Sequence, residues 1–202
     1  FKPMIQYIIA FLVMLNPFAM FLYLQPVMKD LKHRDFLKVL LKATVTSFAI
    51  FALFLFSGNF LFEKVFQIDF DAFRIFGGII IFSFSYFFIV KGQKAFIHMK
   101  EDLDDLASEI ALPFMVGSGT ISISVLMGYE MTYTLGIIAL LIVLVLNYLL
   151  IMLLKFIREG LANRHLRVAF DKNMEVLLRL TGFFIGAIGI NMIMTGIKNI
   201  FF

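Results

Sequence analysis

Apolar runs of about 20 residues recur six times along this 202-residue chain, separated by short charged segments. That is the length an α-helix needs to cross the hydrocarbon of a bilayer. Spans are expected near 4–28, 38–62, 71–91, 110–128, 133–156 and 177–200. The runs are too long and too little alternating for barrel strands, and an open strand edge cannot exist in lipid. With 61% hydrophobic residues, well above the roughly 45–50% of soluble domains, the chain reads as one all-α integral membrane domain over 1–202, solvated by the lipid bilayer. The first run passes 20 residues without a small-residue cleavage site, so it is expected to stay as a span.

The basic residues give an orientation. Segments after the first, third and fifth spans hold thirteen of them: Lys29, Lys32, Arg34, Lys38 and Lys42; Lys91, Lys94 and Lys100; and Lys155, Arg158, Arg164, Arg167 and Lys172. The other side has Lys2, Lys64, Arg74 and Lys198. Lysine and arginine collect on the cytoplasmic side, so both termini are expected to be extracytoplasmic, in a cell inner (plasma) membrane. This placement between spans speaks against nucleic acid as a partner. Without cysteine there is no disulfide or thiolate chemistry, and His33, His98 and His165 lack metal-ligand spacing, so no metal or cofactor is expected.

The acidic segment 100–109 divides the chain into halves, 1–99 and 110–202. Arg74-Ile75-Phe76-Gly77 opens the third span and Arg179-Leu180-Thr181-Gly182 the sixth, 105 positions later. Each half also begins with an interrupted span, at Asn16-Pro17 and at Gly117-Ser118-Gly119. A unit of three crossings must be followed by an inverted copy, so two inverted-topology three-helix repeats are expected. In them Arg74, Gly77, Arg179 and Gly182 are structural or gating positions.

Asn-Pro in mid-span removes a backbone donor, and Gly-Ser-Gly after Pro113 is a poor helix former. Spans one and four are therefore expected to be broken at mid-membrane, each second half starting at the break with Asn16 or Ser118 as cap. Free N–H groups at two such starts, arriving from opposite sides, would attract an anionic group without any lysine or arginine. The candidate substrate-binding residues are Asn16, Pro17, Phe18, Gly117, Ser118, Gly119, Thr120, Ser122 and Asn191. The bland alternative is a proline kink and glycines that allow close packing. Ser83, Ser85, Ser124 and Asn147 are further polar residues in mid-span. No carboxylate, histidine or lysine falls in the middle third of any span, which disfavours an intramembrane hydrolase built on Ser118 or Ser122. A non-enzyme is expected.

Leu15-Asn16-Pro17-Phe18, Phe73-Arg74-Ile75-Phe76-Gly77-Gly78-Ile79, Ala111-Leu112-Pro113-Phe114-Met115-Val116-Gly117-Ser118-Gly119-Thr120-Ile121 and the final helix from Arg179 to Ile197 resemble segments of the MarC, or SnatA-like, family. Ser118 stands where that family commonly has proline, replacing a rigid break with a hydroxyl. The resemblance implies uptake or export of small neutral amino acids such as glycine, alanine and serine, driven by an ion gradient of protons or sodium. The reading that follows is a secondary transporter working by alternating access, compatible with a homo-oligomer. The alternative is a passive channel or facilitator for a small polar solute.

Overall fold

The computed structural model describes residues 2–91 and 115–201. Among these every regular element is helical: α1 (Lys2–Leu15), α2 (Pro17–Asp30), α3 (His33–Phe60) with a π-helical extension Leu61–Phe66, α4 (Phe70–Lys91), α5 (Ser118–Glu130), α6 (Tyr133–Gly160) and α7 (Arg164–Phe201). Five stretches are long and apolar enough to cross a membrane: Met4–Gln25, which takes in α1 and most of α2, His33–Gly58, Phe70–Val90, Tyr133–Gly160 and Arg164–Phe201. The chain is thus an integral, multi-pass helical membrane protein. The acidic linker 100–109 and the Ala111–Phe114 part of the fourth span lie outside the described residues.

Several boundaries differ from expectation, the start of the last helix most of all. The last helix starts at Arg164, thirteen positions before the expected 177, because Asn163 opens it early. The Asn163 side chain accepts the His165 N–H at 2.9 Å and its carbonyl accepts the Arg167 N–H at 3.1 Å. Arg164, Arg167 and Lys172 therefore ride on a polar helical turn, and Arg179 sits well inside α7, not at its start. Lys155, expected at a loop, is buried in α6.

Side-chain contacts fix how the helices run. Tyr7 meets Glu130 and Met14 meets Gly119, so α1 and α5 are antiparallel. His33 meets Lys155 and Phe56 meets Tyr133, so α3 and α6 are antiparallel. Gly78 meets Gly189, Ser85 meets Gly182, and Asp71 meets Gly196, so α4 and α7 are antiparallel as well. This last pair is the closest in the molecule. Lipid tails are as apolar as leucine, so helices in a membrane gain by direct backbone approach more than by hiding apolar surface. Here a Cβ on Gly78 would stand 2.6 Å from the Gly189 carbonyl oxygen, and one on Gly189 2.7 Å from the Gly78 carbonyl oxygen. No side chain fits between them.

Gly189→Val should therefore force α4 and α7 apart, an overpacking cost of roughly 1–3 kcal/mol or more. Gly160→Val, at a position where a Cβ meets nothing within 4 Å, is the control. Thermal unfolding in detergent should show a clear loss for the first variant and little for the second.

Candidate functional site

Asn16 interrupts the first span. Its φ of 46° and ψ of 73° put it in the left-handed region, where asparagine is among the few tolerated side chains. Pro17, with no N–H to satisfy, starts α2. The backbone around the interruption is well paired: the Asn16 N–H donates to the Leu12 carbonyl and its own carbonyl accepts the Met20 N–H, both at 3.1 Å. The Asn16 Oδ1 accepts the Ala19 N–H at 3.2 Å. Helix geometry leaves the Phe18 N–H as the one remaining free donor at this start.

At the start of α5 the cap is Gly117, not Ser118, which is the first helical residue. The Gly117 N–H donates to the Thr120 Oγ1 at 2.9 Å, and that hydroxyl in turn faces the carbonyls of Met115 and Gly117 at 2.9 and 3.0 Å. No side chain caps the helix, so the N–H groups of Ser118, Gly119 and Thr120 have no intrahelical acceptor. A Cβ added to Gly117 meets nothing within 4 Å, whereas one on Gly119 would collide with Met14 Cε and stand 2.7 Å from Ile81 Cγ1. Gly119 is thus a packing position, and through Met14 it sets the α5 start beside the last turn of α1.

Among the described residues three buried side-chain polar atoms lack a partner: Asn16 Nδ2, Ser47 Oγ and Asn147 Oδ1. Their residues are at most 1% exposed. Each is flanked along its helix by members of one core cluster: Leu15 and Met20 around Asn16, Ala43 and Phe51 around Ser47, Val143 and Ile151 around Asn147. Asn147 Nδ2 lies 3.6 Å from the sulfur of Met20, one turn after Asn16, and Phe51, one turn after Ser47, packs edge-on against Phe11 of α1. Buried polar atoms are almost always paired, and each exception calls for an explanation. Here the exceptions are an amide donor of Asn16, a hydroxyl of Ser47 that can donate or accept, and an amide acceptor of Asn147.

The remaining candidates separate from this centre. Pro17 and Thr120 are buried within it, and Phe18 packs beside Phe21, Leu154 and Leu178. Ser122 is buried against Gly77, and Gly182 against Phe88 and Ile89, which makes both glycines contact points between helices. Asn191 is exposed and lines a cavity between α1, α5 and α7, away from the two helix starts. Arg179 is partly exposed and donates to the Ile89 carbonyl and to Glu175.

Polar networks close both ends of the bundle. At one end Arg74 donates to Asp71 and Glu130, each at 3.0 Å, and the Tyr7 hydroxyl donates to the other Glu130 oxygen at 2.6 Å. Asn199 of α7 reaches Asp71 at 3.1 Å, and the guanidinium lies over the Phe70 ring. At the other end Arg158 holds Asp171 with two hydrogen bonds of 2.8 and 3.0 Å, Gln25 shares Asp171, and Lys155 bridges Glu159 and His33. No group of three or more metal-binding side chains occurs among the described residues.

These features define a multi-pass helical membrane protein with an interrupted first span and a polar centre in its core. Residues 1–201 match the MarC family of integral membrane proteins, and the chain belongs to that family. It is 24% identical to a UPF0056 membrane protein of Pyrococcus horikoshii, over 98% of this chain and 95% of the relative. It is 27% identical to a UPF0056 membrane protein of Aquifex aeolicus, over 95% and 91%. It is 28% identical to the UPF0056 membrane protein YvbG of Bacillus subtilis, over 79% and 77%. No solved structure matches the chain.

The interruption can be tested through its backbone. Asn16→Gly keeps the left-handed residue and costs a few tenths of a kcal/mol with the lost cap, while Asn16→Leu adds left-handed strain of about 1 kcal/mol or more. Unfolding measurements should rank native, glycine and leucine variants in that order. A leucine variant as stable as the native protein would mean a continuous helix.

Proposed function

We propose that this protein is a secondary transporter of small neutral amino acids that binds its solute where α2 and α5 begin. The observation that carries this reading is the unpaired donor of Asn16 and the unpaired acceptor of Asn147 in one buried core. A zwitterion of glycine or alanine size offers what each lacks. Its carboxylate would take the Asn16 Nδ2 and the free N–H groups of residues 118–120, which attract an anion without a basic side chain. Its ammonium would donate to Asn147 Oδ1 and Ser47 Oγ. No ionised side chain belongs to this group, so a solute without net charge suits it better than an ion.

The architecture supports an inverted repeat, with α1–α2, α3 and α4 as one half and the helix containing α5, α6 and α7 as the other. Of the equivalent pairs, α3 with α6 and α4 with α7 run antiparallel, as two oppositely inserted three-helix units would. The helix starts would then approach each other at the membrane midplane. Alternating access requires the two ends to open in turn. The Tyr7–Glu130–Arg74–Asp71 and Gln25–Asp171–Arg158 networks each join helices of both halves and are suited to be the contacts that break. By the distribution of basic residues the first would face outward, in the inner membrane, with both termini on that side. A proton or sodium ion would supply the driving gradient.

Counterflow of alanine in proteoliposomes tests the reading, because a carrier exchanges solute and a channel does not. Asn147→Leu removes an unpaired polar atom, so it should leave the fold as stable as before while weakening alanine binding about tenfold, the worth of one hydrogen bond to a charged group. Gly117→Leu, which enters open space, should abolish exchange in a folded protein. Full exchange by both variants at normal expression would place the site elsewhere.

A further inference from the structure

The cavity that holds Asn191 takes no part in the solute site, and its chemistry points to a different ligand. Its volume is about 650 Å3. It opens sideways between α1 and α7, where Ile9 and Phe184 are 57% and 63% exposed on the surface that faces lipid. Ala10, Val13, Ile123 and Ile188 make its apolar wall. The cavity runs along the roughly 16 Å of α7 between Phe184 and Thr195. A hydrocarbon chain fits a slot of that size and, coming from the bilayer, needs no partner protein to supply it.

One end of the cavity is polar. Glu130 and Arg74 line it, and with Asp71 bonded to Arg74 the three groups carry two negative charges against one positive. Glu130 is the more open of the two carboxylates, its side chain 47% exposed against 20% for Asp71, although it already accepts from Arg74 and Tyr7. Its carboxylate has lone pairs left for a further donor. The Asn191 amide, deeper in the same wall, has no hydrogen-bond partner among the described residues. Lys198 lies one turn beyond Thr195 on the same side of α7, at the helix end.

We infer that this cavity is a binding site for a phospholipid with a primary-ammonium headgroup, its ammonium on Glu130, its phosphate towards Lys198, an ester oxygen on Asn191 and an acyl chain along the apolar wall. The occupant enters from the bilayer through the opening between α1 and α7. The site is independent of the transport reading, because lipid retention is measured without any solute or gradient.

Native mass spectrometry of the purified chain, exchanged into mixed micelles with equal phosphatidylethanolamine and phosphatidylglycerol, tests it. The native protein should retain phosphatidylethanolamine about tenfold over phosphatidylglycerol, the factor carried by one charge-assisted hydrogen bond. Glu130→Gln should bring the ratio near one. Ala187→Phe, an exposed cavity position, should strip both lipids. Should Glu130→Gln fail to fold without Arg74's partner, Asn191→Leu serves instead and should lower retention of both lipids severalfold. Equal retention of the two lipids by the native protein would overturn the proposal. So would retention unchanged in Ala187→Phe, or displacement of the lipid by free alanine, which would make the cavity a solute vestibule.

Discussion

Inside hydrocarbon no water is available to a backbone N–H or carbonyl, so any departure from a continuous helix has to find its partners within the protein. Asn16 meets that demand almost alone. Its backbone keeps bonds to Leu12 and Met20 across the interruption, its Oδ1 takes the Ala19 N–H, and Pro17 has no hydrogen to satisfy. Thr120 performs the same service at the start of α5 by turning its hydroxyl back on Gly117. Both starts are therefore confined to the core, where Leu15, Met20 and Phe51 surround them. The polar centre exists because the interruption could not be placed against lipid.

The rest of the bundle packs through small residues and one buried ion-pair network. Gly78 and Gly189 let α4 and α7 touch backbone to backbone, and Gly77 makes room for Ser122, which draws α5 onto α4. Arg74 then spans the end of the bundle from Asp71 to Glu130 while remaining only 8% exposed. With both carboxylates and the Phe70 ring against it, that buried charge is compensated. Breaking either contact would leave that charge costly. The outward-facing Phe, Leu and Ile side chains need no such links.

Much of this was legible in the sequence because its causes are local. A proline cannot donate, and an asparagine before it in an apolar run has few conformations, so Asn16-Pro17 announces itself. Polarity alone makes Asn191 a candidate, although its position on the helix argues otherwise. Gly182, Gly186, Gly189 and Gly196 form the buried stripe of α7, and a residue two positions from Gly189 points about 200° away from it. Asn147 shows the converse. It falls on the stripe of Gly136, Ala139, Leu140, Val143 and Leu144, the buried face of α6, and that spacing could have brought it into the site. Other features were out of reach. Whether Gly117 or Ser118 caps α5 depends on where Thr120 turns its hydroxyl, and the polar first turns of α7 are invisible to a search for apolar runs.

In the proposed transporter the solute sits between Asn16 and Asn147. The chain has no cysteine of its own, so a single cysteine introduced at position 147 reports on that space without background. Its rate of modification by a small membrane-permeant thiol reagent, with and without alanine, measures occupancy directly. Alanine should slow the reaction in a saturable manner, while an amino acid too large for the site should not. A cysteine that reacts at the same rate whatever the alanine concentration would contradict the account.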